Sequence, residues 1–349
     1  MGYEIDFLPV GEESRCGDAI ALRYGNLHGT RSEQTVVIID GGSLESGEQL
    51  AGHVKTHYGT DIIDFAVSTH PDDDHVSGLR HVVENMDVRA LLMHQPWEHA
   101  EDICTLFKNP EQKNLDQKLE KALSTASELD EIAKKRGIPI HQPFAGVKTE
   151  DGSLHVLGPT QEYYQSLIPN FRRTPEGLVE KFVKAVERGA EEAIEWVTET
   201  LHISTEKLDD DGETSHENNS SVILLVTVDD HRLLFTGDAG IPALLQAADY
   251  AESQGIDLHN LQWMQIPHHG SKRNIGPSVL QRMRAGIGYV SCAEKSRPKH
   301  PAQCVVNALV RRGWNVYATE GGTKWHNYNA PNRGWANAIP LQFSDRYQE

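Results

Sequence analysis

The stretch STHPDDDHVSGL, residues 68–79, constrains this chain more than any other feature, because it places histidine and aspartate side chains together directly after an apolar run. Adjacent carboxylates repel one another. A solvated acidic loop would tolerate the aspartates, but it would not account for the histidine at each end. A divalent metal would remove the repulsion and use both residue types as ligands. The stretch therefore predicts a metal site that contains His70, Asp72, Asp74 and His75.

The elements around this stretch place it at the end of a strand. The run DIIDFAVSTH is typical of a strand that ends near His70, and VSGLRHVVENM has the apolar spacing of a helix. His70 and Asp72 alternate in phase and can point the same way. Asp74 and His75 fall at the start of the helix. One pair can therefore serve one metal, and the other pair a second metal nearby.

Three further segments supply candidate ligands after apolar strands. LLFTGD ends at Asp238, QIPHHGSK contains His268 and His269, and RPKHPAQ contains His300. A Gly-Asp turn and a lone histidine before proline are weak signals by themselves. Asp238 and His300 are therefore candidate ligands only in combination with the other segments. A strand followed by a turn cannot easily aim adjacent histidines at one metal. We therefore expect one of His268 and His269 to be the ligand. Carboxylates and imidazoles without a thiolate suit zinc or manganese.

The pattern of elements predicts an α/β fold. Short β-branched runs dominate both ends of the chain and alternate with helical patterns. Between about 98 and 217 the character changes, because 111–136 and 174–207 have the apolar spacing of amphipathic helices. We therefore predict a single domain over residues 1–349 with a mostly helical insertion at about 98–217. No linker rich in Pro, Gly or Ser supports a boundary near residue 160.

Composition and charge exclude several classes of protein. The 349 residues are 38% hydrophobic and 24% charged, as in an ordinary globular protein. No apolar stretch approaches the roughly 20 residues of a membrane span, and MGYEIDFLPV does not resemble a signal peptide.

The four widely spaced cysteines contain no C-x-x-C pair, which favours free thiols in a reducing cytoplasm. The net charge of −18 opposes a broad nucleic-acid-binding surface, although a bound metal can supply positive charge locally.

In the order of its motifs the chain resembles the metallo-β-lactamase superfamily, and within it the soluble domain of the competence protein ComEC. The His-x-His-x-Asp-His signature is present as His70-Pro-Asp72-Asp-Asp74-His75, with the aspartate of ComEC-like domains in place of the second histidine. The segments GDAIALRYG, VIIDGG, ENNSSVILLV, LLFTGD, IPHHGS and KHP occupy positions similar to those of ComEC-like domains. The resemblance covers the whole chain apart from the helical segments of the insertion. It implies an αββα sandwich.

The resemblance also implies a centre of two divalent ions, Zn²⁺ or Mn²⁺. Asn218 and Asn219 stand where true β-lactamases carry a histidine, which argues against lactamase chemistry. The implied ligands divide into three groups: His70, Asp72 and His269 for one ion, Asp74, His75 and His300 for the other, and Asp238 as the carboxylate that bridges them.

The function that the resemblance implies is hydrolysis by a dinuclear metal-bound hydroxide, with a phosphodiesterase or nuclease as the leading prediction. Asp74 and Asp238 would hold the hydroxide. His268 would protonate the leaving group, as imidazole can near neutral pH. Lys272 and Ser271 would stabilise the charge that develops on the phosphorus oxygens. DNA and RNA are both open as substrates.

Two alternatives remain open at this stage. The acidic surface favours a small substrate, such as a phosphoester, a cyclic nucleotide or a lactone. The other alternative is an effector subunit of a bacterial defence or stress complex, whose helical insertion contacts a protein partner or forms a homodimer. All of these readings predict a cytoplasmic protein without a membrane partner.

Overall fold

Two β-sheets form the framework, and the computed structural model describes residues 1–11, 17–107, 114–172, 174, 196–293 and 299–348. The strands are β1 (Gly2–Phe7), β2 (Ala19–Gly25), β3 (Gln34–Gly41), β4 (Ile62–Ile63), β5 (Phe65–Val67), β6 (Asp87–Val88), β7 (Leu91–Leu92), β8 (Ile140–His141), β9 (Leu154–Gly158), β10 (Trp196–Thr198), β11 (Ile223–Val228), β12 (His231–Phe235), β13 (Leu261–Gln265), β14 (Ala285–Val290), β15 (Asn315–Ala318), β16 (Lys324–Tyr328) and β17 (Arg346–Gln348).

Helices connect many of these strands. The α-helices are α1 (Leu44–His53), α2 (Asp73–Asn85), α3 (Ala100–Ile103), α4 (Leu115–Ala122), α5 (Ser124–Arg136), α6 (Gln161–Leu167), α7 (His216–Asn219), α8 (Ile241–Ser253), α9 (Pro277–Arg282) and α10 (Gln303–Arg311). Shorter 3₁₀ or π turns lie at Arg31–Glu33, Val54–Tyr58, Pro96–His99, Cys104–Leu106, Ile168–Asn170, Ile203–Thr205 and His268–Gly270. None of the helices in the described parts of the chain is both long and apolar enough to cross a bilayer.

Each main sheet combines antiparallel and parallel strands. The first has seven strands in the order β16-β1-β2-β3-β5-β7-β8, and the second has six in the order β15-β14-β13-β12-β11-β9. The strands from β3 to β8 in the first sheet run parallel, as do those from β12 to β15 in the second. Two further pairs, β4 with β6 and β10 with β17, lie outside these sheets. The carboxyl ends of parallel strands meet at one edge, where α/β folds build their sites.

The alternation of side chains along β1 separates the two faces of the first sheet. Tyr3, Ile5 and Phe7 are buried between the two sheets. Glu4 and Asp6 alternate with them and therefore fall on the opposite face. They are also buried, so this strand places two carboxylates inside the protein on the helix side.

Helices cover the outer face of each sheet. On one side, residues of α1, α2 and α5 share a buried cluster with those of β3. On the other side, residues of α8, α9 and α10 share a second cluster with those of β11 and β13. A third, aromatic-rich cluster fills the space between the sheets. The layers run helix, sheet, sheet, helix, so the prediction of an αββα sandwich is confirmed.

The predicted helices of the insertion differ from those in the structure. Residues 111–113 of the predicted helix lie outside the described residues. The remainder of the segment 111–136 contains α4 and α5, which are separated at Leu123 with φ −113° and ψ 47°. The apolar sides of α4 and α5 contribute Leu119 and Leu129 to the protein's own core.

The predicted helix over 174–207 is wrong between 196 and 207, whereas its residues 175–195 lie outside the described residues. Trp196–Thr198 instead pairs with β17 near the end of the chain, a partner that local spacing cannot reveal. Between 98 and 217 the structure also has β8 and β9, which belong to the main sheets. The division into a domain and an insertion, and contacts of that insertion with a partner or second copy, stay predictions.

A close approach between helix α2 and the end of β3 requires glycine at position 78. A Cβ atom on Gly78 would lie 1.9 Å from the carbonyl oxygen of Gly41 and 2.6 Å from that of Ser43. We expect Gly78→Ala to lower the free energy of unfolding by at least about 1–3 kcal/mol, since backbone must move to relieve the overlap. Urea unfolding measures this change.

Gly52→Ala is the matched control. Gly52 lies in α1, and a Cβ there would meet nothing within 4 Å. We expect this variant to be more stable than the natural chain by about 0.4–1 kcal/mol, because alanine reduces the freedom of the unfolded chain. Equal effects of the two substitutions would contradict the close approach of α2.

Candidate metal centre

His70 and His75 are positioned by strand β5 and the helix that follows it. Because β5 ends at Val67, His70 lies in the short connection at the carboxyl end of the parallel strands. Helix α2 has Asp72 as its N-cap and places His75 in its first turn. The two histidines are only 2% and 0% exposed, and their ring centroids lie 4.2 Å apart. The local sequence therefore delivers two buried imidazoles to one place.

Asp238 lies at the centre of a histidine cluster, in the connection that follows β12. Its Oδ2 atom is surrounded by imidazole Nε2 atoms, 3.8 Å away for His70, 3.5 Å for His75, 3.7 Å for His268 and 3.8 Å for His269. Metal–nitrogen and metal–oxygen bonds are about 2.0–2.2 Å long. The separations would therefore suit side chains that hold one ion in common.

The opposite ring nitrogens of these histidines are held by the fold. The Nδ1 partners are Thr69 Oγ1 at 2.9 Å for His70, Asp40 Oδ2 at 2.8 Å for His75, Asn274 Oδ1 at 2.8 Å for His268 and the Ser291 carbonyl at 2.9 Å for His269. A hydrogen bond at Nδ1 fixes the orientation of a ring and leaves Nε2 available as a ligand. The fold thus aims the Nε2 atoms of all these rings at Asp238.

Asp40 organises two of the rings at once. It is buried at the end of β3, where its Oδ1 accepts the Thr69 backbone N–H at 2.8 Å. Its Oδ2 accepts the Thr69 hydroxyl at 2.6 Å and the Nδ1–H of His75 at 2.8 Å. Because the hydroxyl donates to Asp40, it accepts from the Nδ1–H of His70. One carboxylate therefore fixes the tautomers of both His70 and His75.

The charges in the cluster outweigh the effect of burial on the pKa of His75 and Asp238, whereas burial has the larger effect on His269. Burial by itself lowers the pKa of His75, but Asp238 and Asp40 raise that pKa well above its usual value. Burial by itself raises the pKa of Asp238, but His75, His268 and His269 hold it well below its usual value. Burial lowers the pKa of His269 to about 3. His269 is therefore neutral near pH 7, which is the form of imidazole that binds a metal.

A further buried carboxylate, Asp18, lies behind His75. Its Oδ2 atom is 3.9 Å from His75 Nδ1 and accepts a hydrogen bond from Gln265 Nε2 at 2.6 Å. Burial raises the pKa of Asp18 to about 7. Sequence reasoning did not assign Asp18 or Asp40 to the site. A carboxylate at the boundary of a strand was the signal, since Asp18 directly precedes β2 and Asp40 lies at the end of β3.

The structure brings some of the other predicted residues to the cluster. The ring centroid of His300 lies 6.3 Å from those of His268 and His269. Burial lowers the pKa of His300 to about 4. Asp72 Oδ2 lies 3.7 Å from His70 Nε2 and also pairs with Arg172. His300 and Asp72 thus border the cluster around Asp238.

Asp74 and Lys272 are placed less closely. Asp74 is half-buried in the first turn of α2, and it is not part of either close group of ligand atoms found among the described residues. Lys272 is exposed in the turn that follows His268–Gly270. Their predicted roles, like the division of the ligands between two ions, stay predictions.

The polar atoms of the cluster fit a divalent ion. Among the described residues, Nε2 of His70, Nε2 of His75 and Oδ1 of Asp238 are buried without a hydrogen-bond partner. Such atoms cost about 1–3 kcal/mol each when they stay unsatisfied. In the described ranges of the chain, ligand atoms within 4.8 Å of one another form two groups, Asp40–His70–His75 and His75–Asp238–His269. Asp40 already accepts hydrogen bonds, so we favour the second group. Its nitrogen and oxygen ligands suit Zn²⁺ or Mn²⁺.

We expect Asp40→Asn to weaken metal binding by about 10- to 100-fold, because it removes the acceptor that orients His75 and, through Thr69, His70. Competition with a chelating dye measures the dissociation constant. Asp257→Asn is the control, since Asp257 is an exposed aspartate on the surface. An unchanged affinity in Asp40→Asn would contradict the orienting role of this carboxylate.

Comparisons with known proteins concern the fold alone. No protein-family model matches the sequence, and no curated protein matches it. A candidate metallo-β-lactamase of Thermotoga maritima is 13% identical with a TM-score of 0.37, over 74% of this chain and 95% of that chain. The metallo-β-lactamase fold protein YhfI of Bacillus subtilis is 11% identical with a TM-score of 0.41, over 93% and 99%. Zn²⁺-bound PqqB of Methylobacterium extorquens is 11% identical with a TM-score of 0.43, over 93% and 99%.

The αββα sandwich rests on this chain's own layers. The similarity of this chain to ComEC-like domains stays a prediction.

Proposed function

We propose that the protein is a metal-dependent hydrolase that cleaves phosphodiesters. The observation that carries the proposal is the convergence of the Nε2 atoms of four histidines on Oδ2 of Asp238. Divalent ions bound in a site of this kind lower the pKa of water and stabilise negative charge on a phosphoryl oxygen. Phosphodiester hydrolysis needs both effects, because its nucleophile is water and its transition state is anionic.

The side chains around the cluster have different roles in this proposal. Asp238, His75 and His269 are buried and would hold the metal. His268 has the most exposed side chain of the histidines around Asp238, at 32%, compared with 7% for His269. Its ring can therefore reach a bound substrate and give a proton to the leaving group. Lys272, in the neighbouring turn, would contribute positive charge beside the phosphoryl group.

The charge of the protein bears on the size of the substrate. With a net charge of −18, the chain lacks the excess of cations that nucleic-acid backbones require for tight binding. This charge favours a second candidate function, hydrolysis of a small phosphoester or cyclic nucleotide in place of DNA or RNA. The chemistry at the metal would be the same in both cases.

A comparison of substrates tests the proposal. Protein loaded with Mn²⁺ would be incubated with bis-p-nitrophenyl phosphate, a cyclic nucleotide, single-stranded DNA and RNA. We expect cleavage of the small diester. Cleavage of a polymer at a similar rate would establish a nuclease, whereas intact polymers would favour the small-molecule candidate.

His75→Ala is the control for contaminating enzymes, since the variant lacks a buried ligand and should be inactive on every substrate. If the metal-loaded natural protein hydrolysed no phosphodiester in this set, the proposal would be wrong.

A further inference from the structure

Arg172 places a guanidinium group beside the candidate metal centre. The residue follows the turn Ile168–Asn170, and its Nη2 atom forms an ion pair with Oδ2 of Asp72. The same carboxylate oxygen lies 3.7 Å from Nε2 of His70. Arg172 therefore contacts a residue that itself borders the ring of His70.

A buried carboxylate holds Arg172 from behind. Glu217 is only 2% exposed and belongs to α7. Its Oε1 accepts the backbone N–H of Arg172 at 2.5 Å, and its Oε2 lies 3.3 Å from Nε of the guanidinium. Glu217 thus holds the backbone of Arg172 by a hydrogen bond and its side chain by an ion pair. This arrangement orients the cation before any ligand arrives, which reduces the entropy that binding would cost.

Part of the guanidinium is left for another partner. The side chain of Arg172 is 43% exposed, and no described residue accepts a hydrogen bond from its Nη1 atom. A guanidinium binds the oxygens of phosphate through parallel hydrogen bonds, and such charge-assisted bonds are stronger than neutral ones. The exposed side of Arg172 therefore offers a preorganised anion-binding group next to the metal ligands.

We propose that Arg172 is a substrate-binding residue that contacts the non-bridging oxygens of a phosphate ester and restricts the site to anionic substrates. The inference rests on the proposed function for its substrate class. To the proposed function it adds a residue that determines specificity, because a neutral ester would form no ion pair with the guanidinium.

Binding of inorganic phosphate tests the proposal without turnover. Calorimetry would compare the Mn²⁺-loaded natural protein with the variants Arg172→Gln and Arg172→Lys, with metal content per chain measured in parallel. We expect Arg172→Gln to bind phosphate about 10- to 100-fold more weakly, from the loss of one or two charged hydrogen bonds. Arg172→Lys keeps the charge opposite Glu217 but loses the planar donor pair, so its affinity should be intermediate. Metal content should be unchanged in both.

Arg282→Gln is the matched control. Arg282 also pairs with two carboxylates, those of Asp249 and Glu252, on the surface. Its loss should leave phosphate binding unchanged. With bis-p-nitrophenyl phosphate as substrate, Arg172→Gln should raise KM more than it lowers kcat.

Three results would overturn the inference. The natural protein could fail to bind phosphate, the two Arg172 variants could bind it as tightly as the natural protein, or both variants could lose their metal. The last result would mean that Arg172 only positions Asp72. If phosphate binding depended on Arg172 while no diester was hydrolysed, the proposed function would fail and the anion site would stand.

Discussion

Asp238→Asn is expected to lower metal-dependent hydrolysis on the order of 10³-fold and to remove most of the bound metal. Oδ2 of Asp238 is the atom that the Nε2 atoms of His70, His75, His268 and His269 share, all within 3.8 Å. Asparagine keeps the size of the side chain but removes its negative charge. A metal centre supplies several kcal/mol of transition-state stabilisation, and about 1.4 kcal/mol corresponds to a tenfold change in rate.

The measurements for Asp238→Asn are metal content per chain and the rate of bis-p-nitrophenyl phosphate cleavage. Asp230→Asn is the control, because Asp230 is exposed in the turn between β11 and β12. A circular dichroism spectrum would show that both variants fold. Natural levels of metal and activity in Asp238→Asn would mean that the histidine cluster is not the metal centre.

Arg333→Met is expected to lower the free energy of unfolding by about 3 kcal/mol, the lower end of the usual cost of removing one partner from buried charges, because Arg23 still pairs with Glu4 and His53 still contacts Asp6. Arg333 forms ion pairs with Glu4 and with Asp6, the latter at 2.7 Å, and both carboxylates are fully buried. The guanidinium also lies 4.9 Å from the ring centroid of Trp325 and 5.1 Å from that of Trp335. Methionine would fill the space between the rings without neutralising the acids.

Urea unfolding at neutral pH measures the effect of Arg333→Met. The matched control is Arg282→Met, which breaks ion pairs to the exposed side chains of Asp249 and Glu252. Exposed pairs contribute at most about 1 kcal/mol. A loss of stability in Arg333→Met no larger than that in the control would mean that Arg333 does not stabilise the buried acids of β1.

The parts of the site that the sequence predicts depend on local pattern. His70 and His75 flank aspartates just after a strand, and His268 and His269 follow another strand. An apolar run precedes each of these histidine pairs, and such a run predicts a strand and its end from local sequence alone. His70 and His75 follow β5 of the first sheet, whereas Asp238, His268 and His269 follow β12 and β13 of the second. The sequence therefore predicts which side chains lie at strand ends, and the packing of the two sheets brings those ends together.

The parts that the sequence does not predict depend on distant contacts. Asp40 acquires its role only because Thr69, 29 residues further on, donates to it. Arg172 meets Asp72 across 100 residues of sequence. β10 replaces part of a predicted helix because β17 pairs with it. In each case the partner is set by the packing of the layers, which periodicity along one segment does not report.

The most direct test of the account is to remove metal from the purified protein with a chelator and restore it in steps. Metal bound per chain and hydrolysis of bis-p-nitrophenyl phosphate would be followed at each step. We predict that hydrolysis disappears with the metal and returns in proportion to the Mn²⁺ or Zn²⁺ that binds. Hydrolysis that survives complete removal of metal, or a fully loaded protein that cleaves no phosphodiester, would contradict the assignment of the Asp238 cluster as the centre of a metal-dependent phosphodiesterase.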